Sequence, residues 1–507
     1  MGKSSEGSFE WQSFLKRPNF YAAPVSCFKH AAVHRSWESI TTGVLVEIKS
    51  PDCTTCSPSN PCCYWIATVI RVTGYMGLLR YEGFDSDDSL DMWVNLCTEP
   101  HIHPIGWCAD NGMPLVPPKT IEDKHTDWKD YLVKRISRAK TIPADFAYKI
   151  EEHKHSIIKK NMKLEVVDKN CISAVRPAKV KEVVGGRLHI SYEDSSEDEG
   201  FWFHERSPLI HPVGWAQIVG HPLQGKIEYA HQSLRKTLYQ TFDPDDATWN
   251  MFMPVINFVK NLKFKEGMKL EAIDPLNLST ICVATVIEVL RNNYLMIGID
   301  GMVNQSANGS DCFCYHSSSP CIFPVGFCES NGITLTPPKG YKGDFKWQEY
   351  LRKTKAKPAP VALFHREIPN HGFREGMYLE AVDLISPRLI CVAVVTKVVG
   401  RLLRIHFEGW EDAYDQWCDC ESPDLFPIGW CQAVGYKLEP PKSDDIEHPK
   451  KRRKVMVSKI QRRKKRFSQR RKSSEYSSQF EGLSIKTEPN DSNESCASGE
   501  ESSYSSE

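Results

Sequence analysis

The chain has 507 residues, 41% of them hydrophobic and 10% aromatic, a composition that suits several packed domains. No run approaches the roughly 18 consecutive apolar residues that a membrane-spanning helix needs, so we expect a soluble protein without a membrane partner. Basic and acidic residues number 64 each, but residues 1–441 hold 48 Lys and Arg against 53 Asp and Glu. We therefore expect a mildly acidic folded body that tolerates or attracts a basic peptide.

Eighteen cysteines are spread along the chain, and no secretory signal opens it, which favours reduced and mostly buried thiols. The one dense group lies in a stretch rich in Pro and Ser and comprises Cys53, Cys56, Cys62 and Cys63. Four thiolates could bind a structural zinc ion. Adjacent cysteines rarely both bind one tetrahedral ion, so we expect an ordinary loop, no metal and no cofactor, with zinc as the alternative.

Short helical arms are predicted by a pattern that first occurs near the N-terminus. Its three copies are Trp11-Phe14-Leu15, Trp128-Tyr131-Leu132 and Trp347-Tyr350-Leu351. Spacing of i, i+3, i+4 places all three side chains of a copy on one helix face. Residues 225–263 depart from the pattern, with a helix-like stretch at 231–242 and a lone Trp249.

Strand-like segments follow each arm. Alternating first segments occur at 44–47, 162–165, 268–271 and 377–380, and apolar second segments at 65–72, 178–184, 281–289 and 389–399. A turn and a third segment come next, as at 401–407. Short strands at such close spacing predict small antiparallel barrels, and a barrel of this size can hold a pocket at its mouth.

A Pro-x-Gly-aromatic motif closes each group of strands. Its copies begin at Pro104, Pro212, Pro324 and Pro427, and another proline stands four residues before each, at Pro100, Pro208, Pro320 and Pro423. Four matches at one offset indicate four copies of a unit of roughly 100 residues.

These repeats, with Leu-Glu-Ala-Val-Asp at 379–383 and Phe-Glu-Gly-Trp at 407–410, resemble malignant-brain-tumour (MBT) repeats, as in the lethal(3)malignant-brain-tumour-like family. The resemblance implies a mainly β protein of four Tudor-like antiparallel barrels with helical arms. It also implies chromatin-associated, usually repressive, binding of mono- and dimethyl-lysine. The expected divisions are repeat 1 at 8–118, repeat 2 at 119–224, repeat 3 at 225–337, repeat 4 at 338–441, and a disordered tail at 442–507.

A complete ligand cage is expected in repeat 4. The family's cage combines an acid after the first strand with an aromatic residue on the third and two more aromatics three and seven residues later. The resemblance assigns these roles to Asp383, Phe407, Trp410 and Tyr414. Aromatic faces attract a methylated ammonium, and a carboxylate selects mono- and dimethyl-lysine because these retain an N–H that trimethyl-lysine lacks.

The other three repeats keep the frame but lose part of the cage. The corresponding residues are Ser50, Tyr81, Phe84 and Leu90 in repeat 1, Asp168, Tyr192, Ser195 and Glu199 in repeat 2, and Asp274, Ile299 and Met302 in repeat 3. We expect these repeats to serve architecture or other contacts.

The tail carries signals for location. A nuclear-localisation pattern comprises Lys450, Lys451, Arg452, Arg453 and Lys454, within a tract, 450–472, that holds fourteen Lys and Arg and no acid. Such a tract also binds DNA or RNA phosphates without sequence preference. Ile485-Lys486-Thr487-Glu488 fits a SUMO-acceptor pattern, with Lys486 as the acceptor.

The sequence therefore predicts a nuclear chromatin reader, in which repeat 4 binds mono- and dimethyl-lysine of histone tails and the chain joins nucleosomes to corepressor subunits. We expect no enzyme, because no phosphate loop, His-Glu-x-x-His, nucleophile elbow or cofactor fingerprint occurs. The alternative is a nuclear scaffold or nucleic-acid-binding protein whose basic tail dominates and whose repeats mediate protein contacts.

Overall fold

Four antiparallel sheets follow one another in the computed structural model, which describes residues 9–53, 62–153, 155–193, 200–254, 263–301, 312–364 and 367–442. The predicted localisation residues 450–454, the basic tract 450–472 and Lys486 lie outside the described residues. The expected β-units with helical arms are confirmed, and each unit is a curled half-barrel.

The strands of repeats 1 and 2 form two five-stranded sheets. Repeat 1 contains β1 (Leu45–Lys49), β2 (Tyr64–Thr73), β3 (Met76–Tyr81), β4 (Met92–Asn95) and β5 (Ile102–His103), in the order β4-β3-β2-β1-β5. Repeat 2 contains β6 (Lys163–Asp168), β7 (Cys171–Val184), β8 (Arg187–Tyr192), β9 (Phe201–His204) and β10 (Ile210–His211), in the order β10-β6-β7-β8-β9.

Repeats 3 and 4 add a short parallel strand to the same plan. Repeat 3 contains β11 (Lys269–Asp274), β12 (Asn277–Val289), β13 (Tyr294–Ile299), β14 (Cys312–His316), β15 (Ile322–Phe323) and β16 (Leu335–Thr336). Repeat 4 contains β17 (Tyr378–Val382), β18 (Ile390–Val399), β19 (Leu402–Phe407), β20 (Gln416–Asp419), β21 (Leu425–Phe426) and β22 (Leu438–Glu439). Strands β16 and β22 pair with β12 and β18.

The helices are short and occupy the arms and the ends of the sheets. They are α1 (Gln12–Leu15), α2 (Trp107–Asp110), α3 (Trp128–Ile136), α4 (Phe146–His153), α5 (Trp215–Val219), α6 (Ile227–Tyr239), α7 (Phe327–Ser330), α8 (Trp347–Thr354) and α9 (Trp430–Val434). Helix α6 begins before the predicted 231–242 stretch.

A register shift recurs at one place in the second strand of every sheet. It falls between Val69 and Arg71, Val180 and Glu182, Val286 and Glu288, and Val395 and Lys397. An extra residue at such a bulge bends a strand and increases its twist, so this repeated shift contributes to the curl of each sheet.

A buried glutamate explains why the first strand and the Pro-x-Gly motif occur together. In repeat 4, Glu380 on β17 accepts the backbone N–H groups of Gly429 and Cys431, both at 2.7 Å. Glu47, Glu165 and Glu271 make the same pair of bonds in their own repeats. The carboxylate satisfies N–H groups at the start of the following short helix, which have no partner within the helix. Gly429 has a φ of +87° there, which favours glycine.

Each arm, the segment before a sheet, packs on the preceding repeat, and the first arm packs on repeat 4. Backbone pairs join Thr141 to Leu45, Asp246 to Lys163, Pro358 to Lys269, and Ala22 to Tyr378. The Trp347 indole donates to Glu271 at 2.8 Å, and the Trp11 indole donates to Glu380 at 2.8 Å. The described part of the chain therefore closes on itself, with its first arm covering its last repeat.

Repeats 1 and 4 share one hydrophobic core, whose members include Val69 and Tyr75 of repeat 1 and Phe407 and Ile428 of repeat 4. The backbone N–H of Tyr75 donates to Ile428 at 2.8 Å. Repeat 4, which carries the predicted cage, thus packs against both the first arm and repeat 1.

Candidate cation-binding site in repeat 4

The carboxylate of Asp383 lies one residue beyond the end of β17 and is half-buried. Its Oδ1 accepts the backbone N–H groups of Ile385 at 3.0 Å and Ser386 at 3.3 Å. A side chain that caps the turn following its own residue is held in one orientation. The turn therefore fixes the acid that the sequence assigns to the cage.

The three predicted aromatic residues lie at the end of β19 and in the loop after it. Phe407 is the last residue of β19 and is buried, whereas Trp410 and Tyr414 are half-buried. The backbone N–H of Trp410 donates to Phe407 at 3.0 Å. The Trp410 and Tyr414 rings stand edge to face, with centroids 5.5 Å apart and planes at 71°. Two inclined rings can present aromatic surface to one cation from two directions.

Gln416 joins this loop to the strand that carries the acid. The residue is 2% exposed and follows Tyr414 by two positions. Its side-chain N–H donates to the carbonyl of Val382 at 2.8 Å, and its side-chain oxygen accepts the N–H of Leu384 at 3.2 Å. Both neighbours of Asp383 are therefore bonded to one side chain at the base of the aromatic loop.

The sequence alone did not identify Gln416 as a site residue. The strand register nevertheless shows that, of the four repeats, repeat 4 is the one with a glutamine at this position. Gln416 stands opposite Ile405, and the residues in the same register of the other repeats are Met92, Phe201 and Phe313. Three apolar residues and one glutamine at a single strand position were the signal available to sequence comparison.

The corresponding places in the other repeats are occupied differently. In repeat 1, Ser50 is buried, and the Tyr81 hydroxyl donates to the carbonyl of Lys49 at 2.7 Å. Phe84 is buried, and Leu90 packs against the core. Ser50 occupies the place of the acid after the first strand, and it has no carboxylate.

Repeats 2 and 3 retain an acid at the end of the first strand. The Tyr192 hydroxyl donates to Asp168 at 3.3 Å, a bond that Phe407 cannot make to Asp383. In repeat 3, Asp274 accepts the N–H of Leu276 at 2.9 Å. Ile299 there is buried and has no ring. Ser195, Glu199 and Met302 lie outside the described residues.

The predicted cysteine group differs from the expectation at one residue. Cys62 is disulfide-bonded, so its sulfur is not available as a thiolate, whereas Cys53 and Cys63 are thiols. Cys56 lies outside the described residues.

Within the described segments, two groups have ligand atoms close enough together to hold a metal ion. They are His406, Asp412 and Asp415, and Asp243, Asp245 and Asp246. Arg404 already pairs with Asp415 at 2.8 Å.

Among the described helices, none has the length and apolar character needed to cross a bilayer.

Comparisons with known proteins bear on the whole repeated region. The family model described as mbt repeat matches residues 55–122, 162–230, 268–342 and 377–445. MBT domain-containing protein 1 of Xenopus laevis is 52% identical over 436 residues, which cover 85% of this chain and 68% of that protein. Polycomb protein Sfmbt of Drosophila melanogaster is 49% identical over 471 residues, covering 90% of this chain and 38% of that protein.

A solved structure shares this fold. It is the crystal structure of the four MBT repeats of Drosophila melanogaster Sfmbt in complex with the peptide RHR(me)K VLR, with a TM-score of 0.81 and 49% sequence identity. The match covers 87% of this chain and all of that one. The repeats, the fold and these relatives agree, and the chain belongs to the family of MBT-repeat proteins.

Proposed function

We propose that repeat 4 binds the side chain of mono- or dimethyl-lysine in histone tails, with Asp383, Phe407, Trp410 and Tyr414 as its cage. The observation that carries this proposal is the link through Gln416, which bonds both neighbours of Asp383 and lies two residues beyond Tyr414. An acid and an aromatic loop held to one another form a preorganised site for a small organic cation.

The methylation state follows from the chemistry of the two kinds of group. Methyl groups weaken hydration of the ammonium, so ring faces compete with water at about 0.5–2 kcal/mol for each cation–π contact. The remaining N–H of a mono- or dimethyl-ammonium donates a charge-assisted bond to Asp383, and a trimethyl-ammonium has none to donate. Unmodified lysine loses more hydration on entering the aromatic walls.

The relatives support the same ligand class. The similar four-repeat structure of Drosophila Sfmbt is a complex with a peptide that carries a methylated lysine between arginines. Residues 1–441 of this chain hold more acids than bases, and that balance suits a basic peptide. The proposed activity is binding without catalysis.

Binding measurements on peptides in four methylation states test the proposal. We expect the wild type to bind mono- and dimethyl-lysine peptides more tightly than unmodified or trimethylated ones. Asp383→Asn should weaken dimethyl-lysine binding at least tenfold. Asp168→Asn, the same change in repeat 2, is the matched control and should leave the affinity within about twofold. Equal affinities for wild type and Asp383→Asn would overturn the assignment of the cage.

We further propose that the chain acts in the nucleus, where it represses transcription by joining methylated nucleosomes to corepressor subunits. The support is the Polycomb relative and the localisation pattern at 450–454. Deleting 450–472 while supplying a foreign nuclear signal separates this account from the alternative. After this deletion, a methyl-lysine reader still associates with chromatin, and the association depends on Asp383. A scaffold or nucleic-acid-binding protein whose tail dominates no longer associates with chromatin.

A further inference from the structure

One position on the second strand of each sheet differs among the repeats, and it lies next to the residues of the candidate cation-binding site. It faces the residue after the buried glutamate, and its four occupants are Trp65, Arg176, Cys282 and Cys391. The position carries an indole, a guanidinium and two thiols in one fixed register.

Strand geometry places this position between the acid and the first aromatic residue. In repeat 4, Cys391 pairs with Ala381, and Asp383 is two residues beyond Ala381. Ala393, two residues beyond Cys391, pairs with Phe407. Paired residues and residues two apart share a sheet face, so Cys391 lies on the face of Phe407, towards the end of β17 that leads to Asp383.

Repeat 2 shows what a long cationic side chain does there. The guanidinium carbon of Arg176 lies 3.9 Å from the centroid of the Tyr192 ring. Its Nη1 lies 3.8 Å from the Asp168 carboxylate, and the two side chains are 17% and 3% exposed. The arginine thus contacts both groups that repeat 2 shares with the cage, an acid and a ring. Arginine does not lose its proton in proteins, so the group that contacts Asp168 and Tyr192 is a permanent cation.

Repeat 1 fills the same position with an uncharged side chain. The Trp65 indole is 1% exposed and donates to the carbonyl of Glu82 at 2.9 Å. The thiol of Cys391 is far smaller than either the indole or the arginine. It is too short to reach an acid and a ring together, as Arg176 does in repeat 2.

We propose that, in a repeat that has both an acid and a ring, this second-strand residue decides whether an external cation is accepted. Arg176 is an internal ligand that occupies the repeat 2 site through Asp168 and Tyr192. Cys391 keeps the repeat 4 site open. The ligand named for repeat 4 rests on the proposed function, whereas the role of Arg176 in repeat 2 does not.

A double-mutant cycle tests the internal ligand without any peptide. Arg176→Met, Asp168→Asn and the double variant are unfolded in urea, and their midpoint shifts are compared. We expect the double variant to shift by clearly less than the sum of the single shifts, because either change alone already removes the ion pair. Additive shifts would overturn the role of Arg176.

An arginine placed at position 391 tests whether an internal cation prevents repeat 4 from binding a peptide. We expect Cys391→Arg to bind a dimethyl-lysine peptide at least tenfold more weakly than Cys391→Ser, with both variants unfolding cooperatively. Equal affinities would overturn the proposal for repeat 4. If Cys391→Arg does not fold, the role of Arg176 as an internal ligand still stands or falls by the cycle in repeat 2. Two other results would show that the proposed function itself is wrong. The wild type would bind no methylated peptide, or Asp383→Asn would bind the peptide as tightly as the wild type.

Discussion

Gln416 donates its side-chain N–H to the carbonyl of Val382 at 2.8 Å, across 34 residues of sequence. Gln416→Met gives repeat 4 the residue that Met92 provides in repeat 1, with similar volume and without the bonds to Val382 and Leu384. We expect an affinity for dimethyl-lysine peptide that is about five- to thirtyfold lower, equivalent to about 1–2 kcal/mol, because loss of both bonds releases Asp383 from the aromatic loop and the site is no longer preorganised. Calorimetric titration measures the loss. Unchanged affinity in a destabilised protein would show that Gln416 serves folding alone.

The turn between Phe407 and Trp410 depends on a glycine. Gly409 has a φ of +77°, and a Cβ there would lie 2.5 Å from the carbonyl oxygen of Lys442. Gly376 has a φ of +83° with nothing within 4 Å of its Cβ. Each change to alanine costs about 1–2 kcal/mol for the left-handed backbone, but only Gly409→Ala displaces a neighbour of the loop.

We therefore expect Gly409→Ala to lower peptide affinity severalfold, with Gly376→Ala as the matched control that lowers the unfolding temperature and leaves affinity unchanged. Peptide titration together with thermal unfolding checks both variants. A similar loss of affinity in the two variants would contradict a local role for the turn.

Closure of the chain depends on the bond between Trp11 and Glu380. Both residues are buried, and burial raises the pKa of Glu380, while the N–H of Cys431 and the indole lower it. Trp11→Phe removes the indole donor from an acceptor that has no access to water. We expect unfolding in urea to show a loss of about 1–3 kcal/mol in the free energy of unfolding.

Trp128→Phe is the control for this change. The Trp128 indole also donates at 2.8 Å, to the carbonyl of Glu122, but this bond is exposed to water. A lost bond that water can replace costs less than a buried one. Equal losses from the two substitutions would mean that the Trp11 bond does not stabilise the closure.

A buried histidine makes stability depend on pH. Burial, assisted by the charges of Arg206 and His153, lowers the pKa of His30 to about 3. The unfolded chain takes up a proton at this residue near pH 6.5, whereas the folded chain does not until about pH 3. Stability contributed by neutral His30 is therefore complete above about pH 6.5 and is lost as the pH falls, at about 1.4 kcal/mol for each pH unit.

His30→Phe keeps a ring against Phe426 and removes this titration. Between about pH 7 and about pH 5, we expect the wild type to lose about 2 kcal/mol more of its unfolding free energy than His30→Phe loses. Urea unfolding at the two pH values measures the difference. Parallel losses would assign the acid sensitivity to other groups.

Local patterns predicted much of each repeat. The third strand of repeat 4 was expected at 401–407 and spans Leu402–Phe407, because alternating apolar residues specify a half-buried strand without reference to distant contacts. The four Pro-x-Gly motifs were identified as the features that close each group of strands. The carboxylate of Glu380 that holds one of them was not, since its partners Gly429 and Cys431 lie 49 and 51 residues away.

Long-range relationships account for what the sequence did not predict. The pattern at Trp11 identifies a buried helix face but not the surface that covers it, which lies 369 residues away on Glu380. In the third arm, Tyr229 bonds Glu165 at 3.3 Å in the place of a tryptophan, so the arm lacked the expected motif. Gln416 is a single polar residue whose partners are distant backbone groups, and no local period indicates it.

The most direct measurement is a crystal structure of this chain with a dimethyl-lysine peptide. We predict that the dimethyl-ammonium lies in repeat 4, within about 6 Å of the ring centroids of Phe407, Trp410 and Tyr414, and donates its N–H to Asp383. A peptide seated in another repeat, or an ammonium in repeat 4 without contact to Asp383, would contradict this account.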